Sequence, residues 1–539
     1  MWRWRMTTTT FAQGLSLTAL VFHLGGCSTL PPGAHYPRIP STAYAQQSQD
    51  RVAVVYREND RVEVDRSAFR MLSVGADGFA TRMQMAHAAN HSLDLQYFIF
   101  TADSTGLLLS KAVLAAADRG VRVRILVDDG PTAAGDEQIQ VLSAHPHIEV
   151  RMFNPFHYRG HIRLFKAVDF AFEKGRVDYR MHNKLFVADN SIALVGGRNV
   201  GDEYFQVSPD AQYADDDIFV GGPLVRKLSA TFDQYWNSSL SIPAQALIKG
   251  ASSPEQLERR RASLNAHWRA AEEAGADYLK RADGGEPLAG MLSGQLPLIW
   301  AQGTVVCDSP DKKQVVTEGG HGRLLYRPIA EALARVRSEF LMITPYLVPT
   351  RGELELVKAM RTRNVRVRIL TNSLNSTNQL SAHSGYMHYR RQLLEEGVEL
   401  YEVRSLLGAT SRGTGQKQTL SRYGNYGLHG KLLVFDRNSM YAGSMNFDKR
   451  SRLLNTEIGV VIDSPELAAQ TAVRFEAMTQ PASAYAVSLR PGAAGNTPVM
   501  VWRTLENEKP VEYTREPSNS FRRRVEATVL SLLPIEREL

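Results

Sequence analysis

Residues 181–199 read "MHNKLFVADNSIALVGGRN", and residues 428–446 read "LHGKLLVFDRNSMYAGSMN". His429 follows His182 by 247 positions, and the two stretches share one pattern: His-x-Lys, four residues, Asp, six residues, then Gly-[Gly/Ser]-x-Asn. Strand alternation places His182 and Lys184 on one face, and likewise His429 and Lys431. The apolar "LFVA" and "LLVF" that follow read as buried strands. "DN" at 189 and "DRN" at 436 read as turns, and a second strand runs into Gly196-Gly197 or Gly443-Ser444. Glycine lets a ligand approach the backbone closely, and Asn199 and Asn446 add amide donors. Each copy thus offers an imidazole, an ammonium and an amide, a set suited to the oxygens of a phosphate group. A lone His-x-Lys carries little weight. Two copies with matched spacings at equivalent places in a repeat carry a great deal.

The repeat extends beyond these stretches. "GVRVRILVDDG" from 120 matches "NVRVRILTNSL" from 364, and "HIEVRMF" from 147 matches "VELYEVR" from 398. Each first pair follows an amphipathic helical stretch, "TGLLLSKAVLAAADR" or "GELELVKAMRTR". Each helix in turn follows a strand-like run, "SLDLQYFIF" or "FLMITPYLV". Apolar runs of strand length alternating with helical periodicity predict an α/β fold with a mixed sheet. At 539 residues the chain exceeds what one core usually holds. The expected division is a first domain over 64–245, a charged helical connector over 246–319, a second domain over 320–500 and a C-terminal segment over 501–539.

The doubled motif resembles the phospholipase D superfamily, and more narrowly the bacterial cardiolipin synthases of the C type. "EVRMFNPF", "LPLIWA", "LVPTRGEL" and "GSMNFDKRSRLLNTEIGVVI" support the narrower likeness. The resemblance implies duplicated domains, each a mixed sheet flanked by helices, with one active site between the halves. It implies that one histidine forms a covalent phosphohistidine while the other works as general acid and base. Family precedent points to His182 as nucleophile and His429 as acid/base, with Lys184, Lys431, Asn199 and Asn446 holding the phosphoryl oxygens. The family motif counts Asp189 and Asp436 in its catalytic set, although their place at strand-end turns reads as scaffold. Asp217 in "YADDDIFV" and Glu457 in "LNTEIGVV" are the expected partners that orient the imidazoles. The resemblance also counts positions 197 and 444 at the phosphate: Ser444 keeps the hydroxyl that normally contacts it, whereas Gly197 departs from the usual serine. The resemblance implies no cofactor and no metal.

The remaining features concern place and partner. "MWRWRMTTTTFAQGLSLTALVFHLGGCSTLPPG" has two early arginines, a mostly apolar run and small residues before Cys27. This is the layout of a secretory signal peptide over 1–27 with a lipobox-like end and Cys27 as lipidation site, followed by a polar linker over 28–63. The expected location is the bacterial cell envelope, facing the periplasm. With only Cys27 and Cys307, a disulfide framework and a cysteine-based zinc site are excluded. Net charge is +7 and the pI about 9.2, which suits anionic partners without choosing among them. In "SNSFRRRVEATVLSLLPIEREL", Arg522 to Arg524 accompany Phe521, Val525, Val529, Leu532 and Leu533. That spacing fits an amphipathic helix lying on anionic lipid or docked on the second domain. "FNPFHYRGHIRLFKAVDFAFEKGRVDYR" mixes aromatics and bases as an entrance loop could. Phospholipid and a membrane surface are the expected partners. Nucleic acid is the less expected one, and the oligomeric state is open. A phosphatidyltransferase forming cardiolipin is the expected activity, with a phospholipase D or a metal-independent nuclease as alternatives.

Overall fold

The computed structural model describes residues 35–45, 65–130, 136–157, 175–208, 211–248, 254–274, 286–318, 322–405, 426–492 and 497–533. The signal-peptide and Cys27 readings, most of the linker, and the greater part of the aromatic-basic stretch lie outside these residues.

The first half runs β1 (Arg66–Leu72), α1 (Gly75–Ala88), β2 (Ser92–Tyr97), α2 (Ser104–Asp118), β3 (Arg122–Asp128), α3 (Asp136–Ser143), β4 (Ile148–Phe153), β5 (Leu185–Ala188), β6 (Ile192–Gly196), β7 (Gln212–Ala214), β8 (Asp217–Gly221), α4 (Pro223–Trp236) and β9 (Ser241–Pro243). After α5 (Ala244–Leu247) come α6 (Pro254–Ala274), α7 (Glu286–Leu292), β10 (Ile299–Cys307) and α8 (Lys312–Glu318). The second half repeats the order with α9 (Tyr326–Arg335), β11 (Glu339–Ile343), α10 (Arg351–Thr362), β12 (Arg366–Asn372), α11 (Leu380–Glu395), β13 (Glu399–Val403), β14 (Tyr426–Leu428), β15 (Leu432–Phe435), β16 (Ser439–Gly443), α12 (Lys449–Leu453), β17 (Ile458–Asp463) and α13 (Pro465–Met478). It closes with β18 (Ala484–Arg490), β19 (Val499–Glu506), β20 (Lys509–Tyr513) and α14 (Phe521–Ser531).

In each half three strands are parallel, β2-β3-β4 and β11-β12-β13. Their crossovers carry helices, as parallel pairing requires. The neighbours β5-β6-β8-β1 and β15-β16-β17-β10 are antiparallel. The sheets are therefore mixed, as the alternation of strand and helix patterns predicts. β1 then pairs antiparallel with β10, joining both halves into a single 18-stranded sheet. This changes the reading of residues 246–319: the segment is not helical throughout, because its β10 is the strand through which the two sheets meet. Alternation in "IWAQGTVVC" is blurred because the strand has neighbours on both edges and is only partly buried. Part of the expected linker is also ordered. Arg124 and Arg151 donate to the carbonyls of Ser41 and Ile39, and the Arg122 guanidinium lies 3.7 Å above the Tyr44 ring.

Local chemistry fixes the element ends. Asp103, Thr350 and Ser464 cap α2, α10 and α13, Thr350 forming a capping box with Glu353. One apolar cluster draws on both halves, with Phe69, Val195 and Ile218 joining Leu341, Met440 and Ile458. Burial of this seam makes the two halves one body. No helix of the described residues is long and apolar enough to cross a membrane.

Candidate active site

The hairpins β5-β6 and β15-β16 turn through Asp189-Asn190 and Asp436-Arg437, all four with φ between 51° and 56°. Two consecutive left-handed residues close each tight turn, with Ser191 N–H donating to Ala188 O and Asn438 N–H to Phe435 O, both at 3.0 Å. The Asp189 carboxylate accepts from the backbone N–H groups of Asn90, His91 and Ser92, each at 2.8 Å. Asp436 does the same for Arg337, Ser338 and Glu339. Both aspartates thus clamp the hairpin to the start of a neighbouring parallel strand, and these bonds hold the Asp436 carboxyl below its ordinary range against the effect of burial. They act as scaffold.

The histidines lie just before β5 and β15, beyond the carboxyl ends of the parallel strands. Each is held by the other half. The His182 N–H donates to Thr456 O at 2.9 Å, and the next residue, Glu457, sets Oε2 2.9 Å from His182 Nδ1. The His429 N–H donates to Ala214 O at 2.8 Å, and the next residue, Asp215, sets Oδ2 2.6 Å from His429 Nδ1. β7 and β14 run parallel across the junction to support the second crossing. A backbone bond followed by a carboxylate thus recurs twice with pseudo-twofold symmetry.

Glu457 faces His182 as expected, but Asp217, also expected as a partner, faces neither histidine. Asp217 is bound to Arg82 at 2.8 Å and Arg198 at 3.1 Å, inside the first half. Strand register explains the correction. Gly196 lies opposite Asp217, while Gly443 lies opposite Gly459. The loop between these strands is five residues longer in the first half, so Asp215 is the counterpart of Glu457. A run of three aspartates hid the shift, which only the register of β8 on β6 and of β17 on β16 reveals.

The same contact accounts for Gly197. A Cβ there would fall far inside van der Waals contact with Asp215 Oδ1 and 2.9 Å from its Cγ. On the opposite side Ser444 Oγ donates to Glu457 Oε2 and accepts from Ile458 N. The serine therefore holds the carboxylate, and where the carboxylate itself occupies that space, glycine is required.

His182, His429, Lys184 and Lys431 are all at most 5% exposed, with Ser444, Asp215 and Glu457 fully buried. Lys184 Nζ donates to His182 O at 2.6 Å, and Lys431 Nζ lies 3.0 Å from His429 Nδ1. Asn199 Oδ1 accepts from Ile99 N. Its Nδ2, a donor, and Asn446 Oδ1, an acceptor, are buried with no hydrogen-bond partner among the described residues. Such groups are costly unless a ligand meets them. Aromatic rings wall the site: Phe98 stands edge-on to His182 at 4.8 Å, and Tyr204 and Tyr213 flank His429 at 5.0 and 5.6 Å. Sequence reasoning did not single out these three, because nothing local marks an aromatic residue as facing a distant histidine.

Electrostatics lowers both histidines and separates their carboxylate partners. Burial and the neighbouring lysines push His182 well below its ordinary pKa. Burial and Lys431 lower His429 to about 3, although Asp215 works in the opposite direction. Burial opposes ionisation of Asp215, yet His429, Lys431 and Arg198 hold its carboxyl well below the usual range. Burial raises Glu457 to about 7 despite Lys184 and Ser444. Burial also lowers Lys184 well below its ordinary range and Lys431 to about 8. A concentration of desolvated cations beside the open Asn199 amide N–H suits an anion. Among the described residues no group of three or more His, Cys, Asp or Glu side chains is placed to hold a metal ion.

Fold and site together define a duplicated, two-histidine phosphodiester-handling protein, and comparison with known proteins agrees. Residues 83–236 and 329–479 match the family model "Cardiolipin synthase, PLD-like domain". Cardiolipin synthase C of Escherichia coli (strain K12) is 35% identical over 465 residues, covering 86% of this chain and 94% of that protein. The major cardiolipin synthase ClsA of Bacillus subtilis (strain 168) is 23% identical over 77% of this chain and 69% of its own length. The crystal structure of phosphatidylserine synthase from Haemophilus influenzae Rd KW20 aligns with a TM-score of 0.51 at 12% identity, covering 79% of this chain and 91% of that one, a likeness of fold. The chain belongs to the cardiolipin synthase family of phospholipase D-like proteins.

Proposed function

We propose that this protein is a phosphatidyltransferase that forms cardiolipin from phosphatidylglycerol and a second phospholipid. The observation that carries the proposal is the crossed pair of His–carboxylate contacts, one buried site completed by both halves. His182 attacks the donor phosphorus through Nε2, its Nδ1–H held by Glu457. The phosphorus–oxygen bond to the head group breaks, and His429 gives the departing oxygen a proton, leaving a phosphatidyl-His182 intermediate. Asp215 stays ionised and stabilises the imidazolium form of His429 that this step needs. The entering phosphodiester anion adds negative charge beside Lys184 and Lys431 and so raises the proton affinity of His429 from its resting value. The glycerol hydroxyl of phosphatidylglycerol then attacks phosphorus, passes its proton to His429 and frees His182. Lys184, Lys431, Asn199 and Asn446 bear the charge on the phosphoryl oxygens.

The N-terminal pattern supports an exported lipoprotein acylated at Cys27 and acting in the bacterial envelope. The test is a product assay on the purified protein with phosphatidylglycerol, with and without phosphatidylethanolamine, in excess EDTA. Cardiolipin should appear with the parent and vanish with His182→Ala and His429→Ala. Phosphatidic acid without cardiolipin would make the protein a hydrolase. Cleavage of single-stranded DNA with no lipid turnover would make it a nuclease.

A further inference from the structure

Twelve large apolar side chains stand exposed among the described residues, and five belong to the last helix and its end: Phe521 at 79%, Val525, Val529, Leu532 at 80% and Leu533. At 100° per residue these five fall within one arc of about 120°. The opposite face is anchored. Ala527 is buried, Arg523 Nε donates to Leu374 O at 2.6 Å and also reaches Thr377 O, and His388 Nε2 lies 2.9 Å from Ser531 O. The helix is therefore docked on the second half and still presents an apolar ridge. The expected docking on the second half is what the structure shows, and the face left open is the apolar one.

The place of the ridge ties it to the site. The loop that α14 grips runs through Asn378, whose Oδ1 accepts from Tyr346 Oη at 2.7 Å and whose Nδ2 donates to Tyr213 Oη at 3.1 Å. Tyr213 in turn stacks on His429. The helix is thus one loop removed from the wall of the catalytic site. The helix also carries a positive balance, three arginines against the single acid Glu526, with Arg522 on the exposed side paired to Glu526 and Arg523 and Arg524 turned to carbonyls of the second half.

We propose that the α14 ridge is a membrane-docking surface that enters the interface of an anionic phospholipid bilayer and sets the mouth of the site on it. The proposal rests on the lipid reading of the site, because a two-chain phospholipid must leave a bilayer to reach buried histidines. Phe521, Val525, Val529 and Leu532 enter the acyl boundary while Arg522, exposed beside the ridge, meets lipid phosphates.

The test uses the full chain carrying Cys27→Ser and Val529→Cys, labelled at 529 with an environment-sensitive fluorophore. Vesicles of phosphatidylglycerol and phosphatidylethanolamine should shift its emission to the blue, and nitroxide-labelled lipid should quench it. Vesicles of phosphatidylcholine alone should do so more weakly. In an otherwise unaltered chain, Phe521→Asp/Val525→Asp/Val529→Asp should lower turnover on vesicles at least tenfold and leave turnover in detergent micelles near that of the parent. Absence of the blue shift with anionic vesicles would overturn the proposal. So would a shift that grows with protein concentration without vesicles, which would mean a second copy covers the ridge. Equal loss in vesicles and micelles would assign the ridge to folding and overturn it too. A quenched probe with no lipid turnover in any format would leave the docking surface standing and remove the catalytic reading.

Discussion

At the scale of single residues, the choice between Asp215 and Asp217 is the sharpest consequence of the geometry. Asp215→Asn keeps the shape but loses the charge facing His429, so turnover should fall by about 10²- to 10⁴-fold with little change in the melting temperature. Asp217→Asn should act oppositely. It leaves Arg82 and Arg198 with a neutral partner in a fully buried place, so stability should fall by up to about 3–5 kcal/mol in urea titration. The folded fraction should keep most of its activity. Restoring the family serine by Gly197→Ser should damage the enzyme, because Cβ would displace Asp215 from His429. Turnover should drop at least about tenfold, a loss of 1.4 kcal/mol or more in transition-state stabilisation. A fully active Gly197→Ser would overturn the steric account. Glu457 adds a pH signature. Its carboxyl is raised from an ordinary 4.5 to about 7 in the folded protein, so it contributes stability below pH 4.5 that is lost as pH rises through 7. Glu457→Gln lacks that loss. The stability of the variant relative to the parent should therefore climb between pH 4.5 and 7, by about 3–4 kcal/mol at most. Unfolding curves at pH 4.5, 6 and 8 would show it, and a difference independent of pH would refute it.

At the scale of elements, what the sequence revealed and what it concealed have distinct physical causes. The His-x-Lys strands, their turns and the buried parallel strands were legible because each depends on short-range periodicity: apolar runs for β2 to β4, left-handed turn residues at 189–190 and 436–437. β10 was not legible, since its nine residues carry partial burial and no clean alternation, and its role comes from pairing with strands more than 150 residues away on either side. The acid partner of His429 escaped for a similar reason, because a register between distant strands decides it. Supports behind the acids were also hidden. Asp308, directly after β10, accepts from Glu457 N at 2.9 Å and from Lys312 Nζ at 2.8 Å, while Lys312 also donates to Ser451 and Asn455 carbonyls. α8 thus buttresses the loop that carries Glu457. Lys312→Met would leave Asp308 buried without its counter-charge and should cost about 3–5 kcal/mol. That cost would appear as a lower urea midpoint, and its absence would show that α8 is incidental to the loop.

For the whole molecule, duplication is a requirement of the chemistry. His182 takes its carboxylate from residue 457 and His429 from residue 215, so neither half contains a complete histidine pair. The halves are bound by the β1-β10 ladder, the β7-β14 pair, a shared apolar seam and a salt bridge from Arg474 to the buried Asp216. The connection before β10 passes through Ser293, Gly294 and Gln295, all exposed, with Gly294 at φ 76°. A chain break there severs no strand pairing and leaves β10 with the second half. Fragments 1–294 and 295–539 produced together should accordingly assemble and turn over substrate, while each alone should be inactive. Full-length His182→Ala mixed with full-length His429→Ala should stay inactive, because each folded chain has already closed its seam on its own partner half. Activity regained on mixing would mean that halves exchange between chains, and the site would then belong to an assembly of chains. Activity in one fragment alone would mean that the crossed carboxylates are dispensable, which the distances of 2.9 and 2.6 Å to the two imidazoles argue against.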